Sequence, residues 1–251
     1  MASFDSDGVR IYYEDTGAGD TVVLVHGFAS SARHNWGDTG WVSLLASSYR
    51  VLAPDVRGHG LSDKPHCAEA YGYPNLGADV IRLLDHLGSR RTLLMGYSMG
   101  GSIAISLMLS HPERLRAVVL GGIAYDDGLE DPAERKAIID AYLAEDASNA
   151  TSPVARGYRK FAETNHNDLC ALAALMQGER PFVSPASLAA VRIPVMIVVG
   201  AKDNLIGDPR ALATMIPGGR LVMLEGRDHM NAPMDSLYKE AVLSFFRLAP
   251  S

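Results

Sequence analysis

"LLMGYSMGGSIAISLML" spans Leu93 to Leu109. It opens as an apolar run of strand length and closes as an apolar run of helical length. Ser98 sits at the join, with Gly96, Gly100 and Gly101 around it. Glycine lets neighbouring backbone approach closely where a side chain would collide. A G-x-S-x-G at such a join holds the serine hydroxyl exposed on a very tight turn, at the start of the next helix. The helix N-terminus favours negative charge developing nearby. The competing reading is a glycine-rich turn with an incidental serine; the strand–turn–helix context favours a nucleophile.

Outward from Ser98, apolar runs of strand length alternate with segments of helical period. The strands read as Thr21–Gly27, Tyr49–Asp55, Arg91–Ser98, Leu115–Gly122, Ile193–Asp203 and Gly219–Gly226. Near-continuous apolar runs imply strands covered on both faces, hence a mainly parallel sheet. Helices read as Pro74–Leu87, Met99–Ser110, Asp208–Met215 and Ala232–Leu248. This alternation predicts a doubly wound α/β fold. The opening "VRIYYEDTG" is more polar and alternates, which predicts an antiparallel hairpin with the first few residues at the sheet edge.

From about Ile123 to Val191 the rhythm breaks. Asp131-Pro132 marks a helix start, an N-cap followed by proline in the first turn. "SPVARGYRKFAE" and "NDLCALAALMQG" read as two more helices. The expected organisation is a core of residues 1–122 and 192–251, with residues 123–191 as a helical cap inserted in the same domain. Ile138, Tyr142, Phe161 and Leu172 in this segment, with Phe28, are candidate pocket residues.

The 251 residues are 47% apolar and 21% charged, a globular composition with room for one sizeable domain. Lys+Arg number 23 against Asp+Glu 29, a net charge of -6, so the chain lacks the basic face that nucleic acid demands. No apolar run approaches the roughly 18 residues of a membrane helix. The N-terminus has neither the basic start nor the apolar core of a secretory signal. Cys67 and Cys170 stand in unrelated contexts, which argues against a disulfide framework and a metal site. The expectation is a cytoplasmic protein with no nucleic-acid or membrane partner.

A serine hydroxyl needs a base, and the base needs an orienting acid. In this architecture the chain order is Ser, then Asp or Glu, then His. Asp203 follows one core strand in "VVGAKDNL", and His229 follows the last strand in "LEGRDHMNAP". Catalytic groups gather at the carboxyl ends of parallel strands. Asp228 adjoins His229 and reads as a loop former. Asp79 and Asp85, on the helix after the second strand, read as solvated charges. Asp55 reads as a holder of its loop, and His34, His66, His86, His111 and His166 as surface or packing histidines.

The chain resembles the α/β-hydrolase superfamily through "VHGF" (Val25–Phe28), "DVRGHGLSD" (Asp55–Asp63), "GYSMGG" (Gly96–Gly101), "GAKD" (Gly200–Asp203) and "GRDH" (Gly226–His229). Five motifs in the family's order are far more specific than one. The resemblance implies nucleophile Ser98, acid Asp203 and base His229. It also implies an oxyanion hole made by the backbone N–H groups of Phe28 and Met99, with His26 structural and His59 near the site edge. Some relatives place the acid after another strand, where Asp126 and Asp127 stand; the commoner arrangement favours Asp203. The implied reaction is acyl transfer from a small ester or lactone to water, with no cofactor and no metal. A serine in this place argues against the branches that use aspartate, such as dehalogenases and epoxide hydrolases. C–C bond hydrolases and cofactor-free perhydrolases share these motifs, and a non-catalytic ligand receptor is a remote alternative.

Overall fold

The computed structural model describes residues 2–125, 131–146 and 152–250. Eight strands form one sheet: β1 (Ala2–Ser6), β2 (Val9–Gly17), β3 (Thr21–Val25), β4 (Arg50–Pro54), β5 (Thr92–Tyr97), β6 (Leu115–Gly121), β7 (Val195–Gly200) and β8 (Arg220–Leu224). Their spatial order is β1-β2-β4-β3-β5-β6-β7-β8. Every pair from β4 to β8 is parallel, while the edge hairpin β1–β2 and the β2–β4 pair are antiparallel. The reason is in the composition. β3, β5 and β7 are buried at every position, as strands covered on both faces must be. β2 buries only Ile11 and Tyr13, two residues apart on one face, as a strand near the sheet edge does.

Successive residues of each strand feed opposite faces. Val23, Val25, Leu94, Leu120 and Ile197 pack with α2 (Tyr73–His86), α3 (Met99–Ser110) and α8 (Pro209–Met215). Val22, Leu24, Met95, Val119 and Val198 pack with α1 (Trp41–Ala46) and α9 (Ser236–Arg247) on the other face. The sheet is therefore doubly wound, as the strand–helix alternation predicts.

Between β6 and β7 lie α4 (Pro132–Leu143), α5 (Pro153–Thr164), α6 (Leu169–Gln177) and α7 (Pro185–Ala189). Ile138, Tyr142, Ala155, Ala162 and Leu172 give these helices a buried cluster that reaches the rest of the molecule through Ala29 and Phe28. Each helix begins at a side-chain cap: Asp131, Ser152, Asp168 and Ser184 accept from backbone N–H groups in the first turn. Such caps satisfy amides that no helical carbonyl can reach.

Three local readings change. The last helix does not begin at Ala232. A 3₁₀ turn (Ala232–Met234) precedes it, and Asp235 caps α9 by accepting from Leu237 and Tyr238. Asp79 is not solvated: it is 6% exposed and pairs with Arg57 at 2.5 and 2.7 Å. It sits on the face of α2 that also carries Leu76, Val80 and Leu83, so helical register buries it. Burial alone would lower the Arg57 pKa, but the Asp79 carboxylate outweighs it and holds the guanidinium more firmly charged. Thirdly, a π-helical turn (Arg33–Gly37) and α1 fill the segment after β3, where no helix was expected. Asp85 remains exposed and pairs with Arg114 at 2.8 Å.

Candidate active site

The carboxyl ends of β3, β5, β7 and β8 face one side, because these strands run parallel. β5 delivers Ser98, β3 delivers His26 to Phe28, β7 leads to Asp203 and β8 to His229.

Ser98 has φ 53° and ψ −118°, a conformation costly for a residue with a Cβ. Its surroundings enforce it. The Ser98 N–H donates to the Gly121 carbonyl at 2.8 Å, and its own carbonyl accepts from Gly101 N–H at 2.7 Å. A Cβ on Gly96 would collide with the Gly100 carbonyl, and one on Gly100 with the Val25 carbonyl. The strained turn therefore exists only because both positions are glycine. Ser98 occupies the N-cap position of α3, yet its side chain makes no capping bond. A serine at an ordinary N-cap spends its hydroxyl on the helix's first amides; this one keeps it available.

His229 and Asp203 meet: Nδ1 of the imidazole lies 2.7 Å from Asp203 Oδ2. The Asp203 side chain is fully buried and His229 is 13% exposed at its side chain. Asp203 Oδ1 accepts from Leu205 N–H at 3.0 Å, which fixes the carboxylate. With Nδ1 held by the carboxylate, Nε2 is the ring nitrogen left for other work. The loop before His229 is shaped by Asp228, whose Oδ1 accepts from Met230 and Asn231 N–H groups. Tyr97 OH donates to the His229 carbonyl at 2.5 Å. The residue before the serine thus ties down the loop of the histidine. Burial pushes the Tyr97 phenol pKa up, with Asp203 adding to the shift, so it stays a donor.

The β3 loop is held from below by two buried histidines. His26 Nε2 accepts from Val56 N–H at 3.0 Å, and His59 Nε2 accepts from Ala29 N–H at 3.0 Å. Each Nδ1 therefore carries the proton and donates to a carbonyl, that of Gly27 and of Arg57 respectively. Desolvation lowers both pKa values, His59 to about 3. Asn35, on the π-helical turn, accepts from Gly27 N–H at 2.9 Å. Asp55 accepts from Ala32 and Leu61 N–H groups, both at 2.8 Å. Gly27 and Ala29 have committed their N–H groups. Among the described residues no hydrogen bond uses the N–H of Phe28 between them, nor that of Met99 after the serine.

Ser98 and His229 line one cavity of about 570 Å³. Its apolar walls come from Phe28, Tyr97, Val154, Tyr158, Phe161 and Leu205, its polar side from Ser30, His34, Asn35 and Thr39. Of the pocket residues expected from sequence, Phe28 and Phe161 line it. Ile138, Tyr142 and Leu172 do not: they are buried in the cluster behind α5. Helical periodicity places residues on an apolar face but does not say which apolar face meets the cavity. Val154, Tyr158, His34 and Asn35 escaped the sequence reading. For Val154 and Tyr158 the signal is the spacing of Val154, Tyr158 and Phe161 along α5, continued by Asn165 at its C-cap, one stripe of a helix; His34 and Asn35 have no such signal. Asp126 and Asp127 lie outside the described residues. Among the described residues no group of three His, Cys, Asp or Glu is arranged to hold a metal ion, and no helix is long and apolar enough to cross a membrane.

A mainly parallel sheet wound on both faces, with a strained serine after its fifth strand, defines an α/β hydrolase fold. The alpha/beta hydrolase fold family model matches residues 20–157, and the chain belongs to that family. Over 119 residues it is 40% identical to an uncharacterized hydrolase of Bacillus subtilis, covering 47% of this chain and 42% of that one. Over 119 residues it is 37% identical to epoxide hydrolase A of Mycobacterium tuberculosis, covering 45% of this chain and 35% of that one. These matches span less than half the length of either relative. A solved hydrolase from Pseudomonas aeruginosa superposes with a TM-score of 0.80 at 29% identity, over 98% of this chain and 97% of that one.

Proposed function

We propose that the protein is a serine hydrolase of small carboxylic esters or lactones. The observation that carries this is the Asp203–His229 pair at 2.7 Å opening onto the same cavity as Ser98. Ser98 Oγ attacks the carbonyl carbon while His229 Nε2 takes its proton. The Phe28 and Met99 N–H groups receive the oxyanion, worth about 2.7–4 kcal/mol per donor. His229 then gives the proton to the leaving alcohol, and the acyl group stays on Ser98. Water repeats the cycle and releases the acid. Asp203 keeps the imidazole in the tautomer whose Nε2 is free and stabilises the imidazolium.

The Mycobacterium relative bears the name of an epoxide hydrolase, and such enzymes attack with aspartate. Ser98 at the nucleophile turn favours ester chemistry here. Residues 123–191 act in this reading as a cap. Val154, Tyr158 and Phe161 roof the cavity, exclude water and limit substrate size. A cavity of about 570 Å³ suits a compact molecule and not a long lipid chain.

The test is kcat/KM for p-nitrophenyl acetate, butyrate, octanoate and palmitate, with a lactone panel, in the protein and in Ser98→Ala. Turnover is expected to peak at the short esters and vanish in the variant. Retained turnover in Ser98→Ala contradicts the nucleophile. A rise through palmitate, or activation at an oil–water interface, contradicts the compact pocket.

A further inference from the structure

Ala29 is held in a conformation that alanine avoids. Its φ is 53°, in the left-handed region that a Cβ disfavours. It sits in the turn that carries the Phe28 N–H, closed by Ser30 N–H donating to the Gly27 carbonyl at 3.3 Å. The third residue of such a turn takes a positive φ in the type II form, where glycine is usual. An alanine there has to be held by its surroundings. One hold comes from the core, where Ala29 N–H donates to His59 Nε2 at 3.0 Å. The other comes from the helical insertion, where Asn167 Nδ2 donates to the Ala29 carbonyl at 2.8 Å.

Asn167 is itself fixed. α5 ends in a Schellman motif: Asn167 N–H donates to the Ala162 carbonyl at 2.9 Å and His166 N–H to that of Glu163 at 3.0 Å, with His166 left-handed at φ 54°. The next residue, Asp168, caps α6. The end of one helix and the start of the next thus set the Asn167 backbone from both sides. The same helices grip the turn by packing. Ala29 is fully buried in one cluster with Ile138, Tyr142 and Leu172. The Phe28 ring centroid stands 6.2 Å from those of Tyr142 and Tyr158.

We propose that Asn167 is a positioning residue for the oxyanion hole: through Ala29 it holds the turn in the form that presents the Phe28 N–H to the cavity. This rests on the ester-hydrolase reading above. Asn167 touches no reacting atom. Its carboxamide carries the seating of the insertion to the β3 loop, so the hole is complete only while these helices rest on the turn. Covering the cavity and completing the hole are then one event.

The experiment measures kcat, KM and melting temperature with p-nitrophenyl butyrate for the protein, Asn167→Ala, the near-isosteric Asn167→Asp, and the double variant Asn167→Ala with Ala29→Gly. A fluorophosphonate probe reports whether Ser98 is reactive in each. Asn167 is partly exposed and neither substitution adds bulk, so the fold is expected to survive both. Asn167→Ala is expected to lower kcat about tenfold with KM nearly unchanged, less than the ~10²–10³ of losing an oxyanion donor outright. Asn167→Asp sets a carboxylate against the Ala29 carbonyl and is expected to lower kcat further. Glycine adopts the left-handed conformation without a holder. Ala29→Gly is therefore expected to restore much of the kcat lost in Asn167→Ala. An unchanged kcat in both single variants overturns the proposal, whatever the melting temperature does. A change confined to KM overturns it too, as does a loss of kcat that Ala29→Gly leaves untouched. Absence of label on Ser98 in the unsubstituted protein overturns the ester-hydrolase reading itself, and this proposal with it.

Discussion

The helix that leaves β5 and the helices between β6 and β7 are anchored differently. α3 begins without a side-chain cap, as do α1 and α2, while α8 and α9 on the same sheet are capped by Asp208 and Asp235. α4, α5, α6 and α7 all begin with a cap. α3 follows β5 with only Ser98 between, so the strand and the glycines of the turn fix its start. A helix that follows a loop can carry its own start in the sequence as a capping residue. Ser98 gains from this difference: because β5 and the glycines set the start of α3, the hydroxyl at the N-cap position need not do so. The polar contacts differ in the same way. Under the sheet edge, Asp79, Arg57, Asp55, His26 and His59 are all buried. Around the β6–β7 helices Arg159 is buried, but the described ion pairs each have at least one partly exposed partner, such as His66–Asp168 at 3.0 Å and Lys136–Asp140 at 2.6 Å.

The largest expected effect is at the acid. If Asp203 sets the tautomer of His229, Asp203→Asn lowers kcat by about 10⁴, with folding retained. Asp126→Asn is expected to leave kcat near its starting value. Steady-state kinetics on both variants decides, and the reverse ranking would move the acid to the β6 side.

Next comes the buried pair. Asp79→Ala strands the Arg57 guanidinium, whose side chain is 6% exposed, and is expected to cost about 3–5 kcal/mol in urea unfolding. Asp168→Ala, which removes the α6 cap and the partner of His66, is expected to cost only about 1 kcal/mol. Equal losses would erase the contrast between the two regions.

The two buried histidines give the sheet edge a pH signature of its own. In the unfolded chain each binds a proton below about pH 6.5. In the fold both resist it, His59 down to about 3. Their contribution is complete above pH 6.5 and is lost as the pH falls below it. The loss is at most about 1.4 kcal/mol per pH unit for each histidine. Urea unfolding at steps from pH 7 to pH 4.5 checks the slope. A flat profile would mean that His26 and His59 are less sealed than their burial indicates.

The same contrast governs what the sequence disclosed. β3, β5, β6 and β7 were legible to within a residue or two at most ends, because strands covered on both faces are unbroken apolar runs. The starts of α4, α5 and α6 were legible because their caps are written as Asp-Pro, Ser-Pro and Asn-Asp. Ser98, Asp203 and His229 were legible as motifs at strand ends, and the fold brings the last two into contact. What escaped depends on contacts between distant segments. Asp79 looks like a surface charge until its register with Leu76 and Leu83 is counted. α1 opens at Gly40, in the left-handed region, with no capping residue to announce it. Which stripe of α5 faces the cavity is set by buried Arg159, whose Nη1 donates to the Ala141 and Ala144 carbonyls, contacts that no local pattern reveals.

The central claim is that the strained turn of β5 exposes a serine activated by His229. Its most direct measurement is the site and rate of labelling by a fluorophosphonate probe, read by mass spectrometry of the digested protein. One adduct is expected, on the peptide containing Ser98. Its rate should fall by orders of magnitude in His229→Ala, since the members of such a triad act as a unit. An adduct on another residue, or an unchanged rate without His229, would contradict the account.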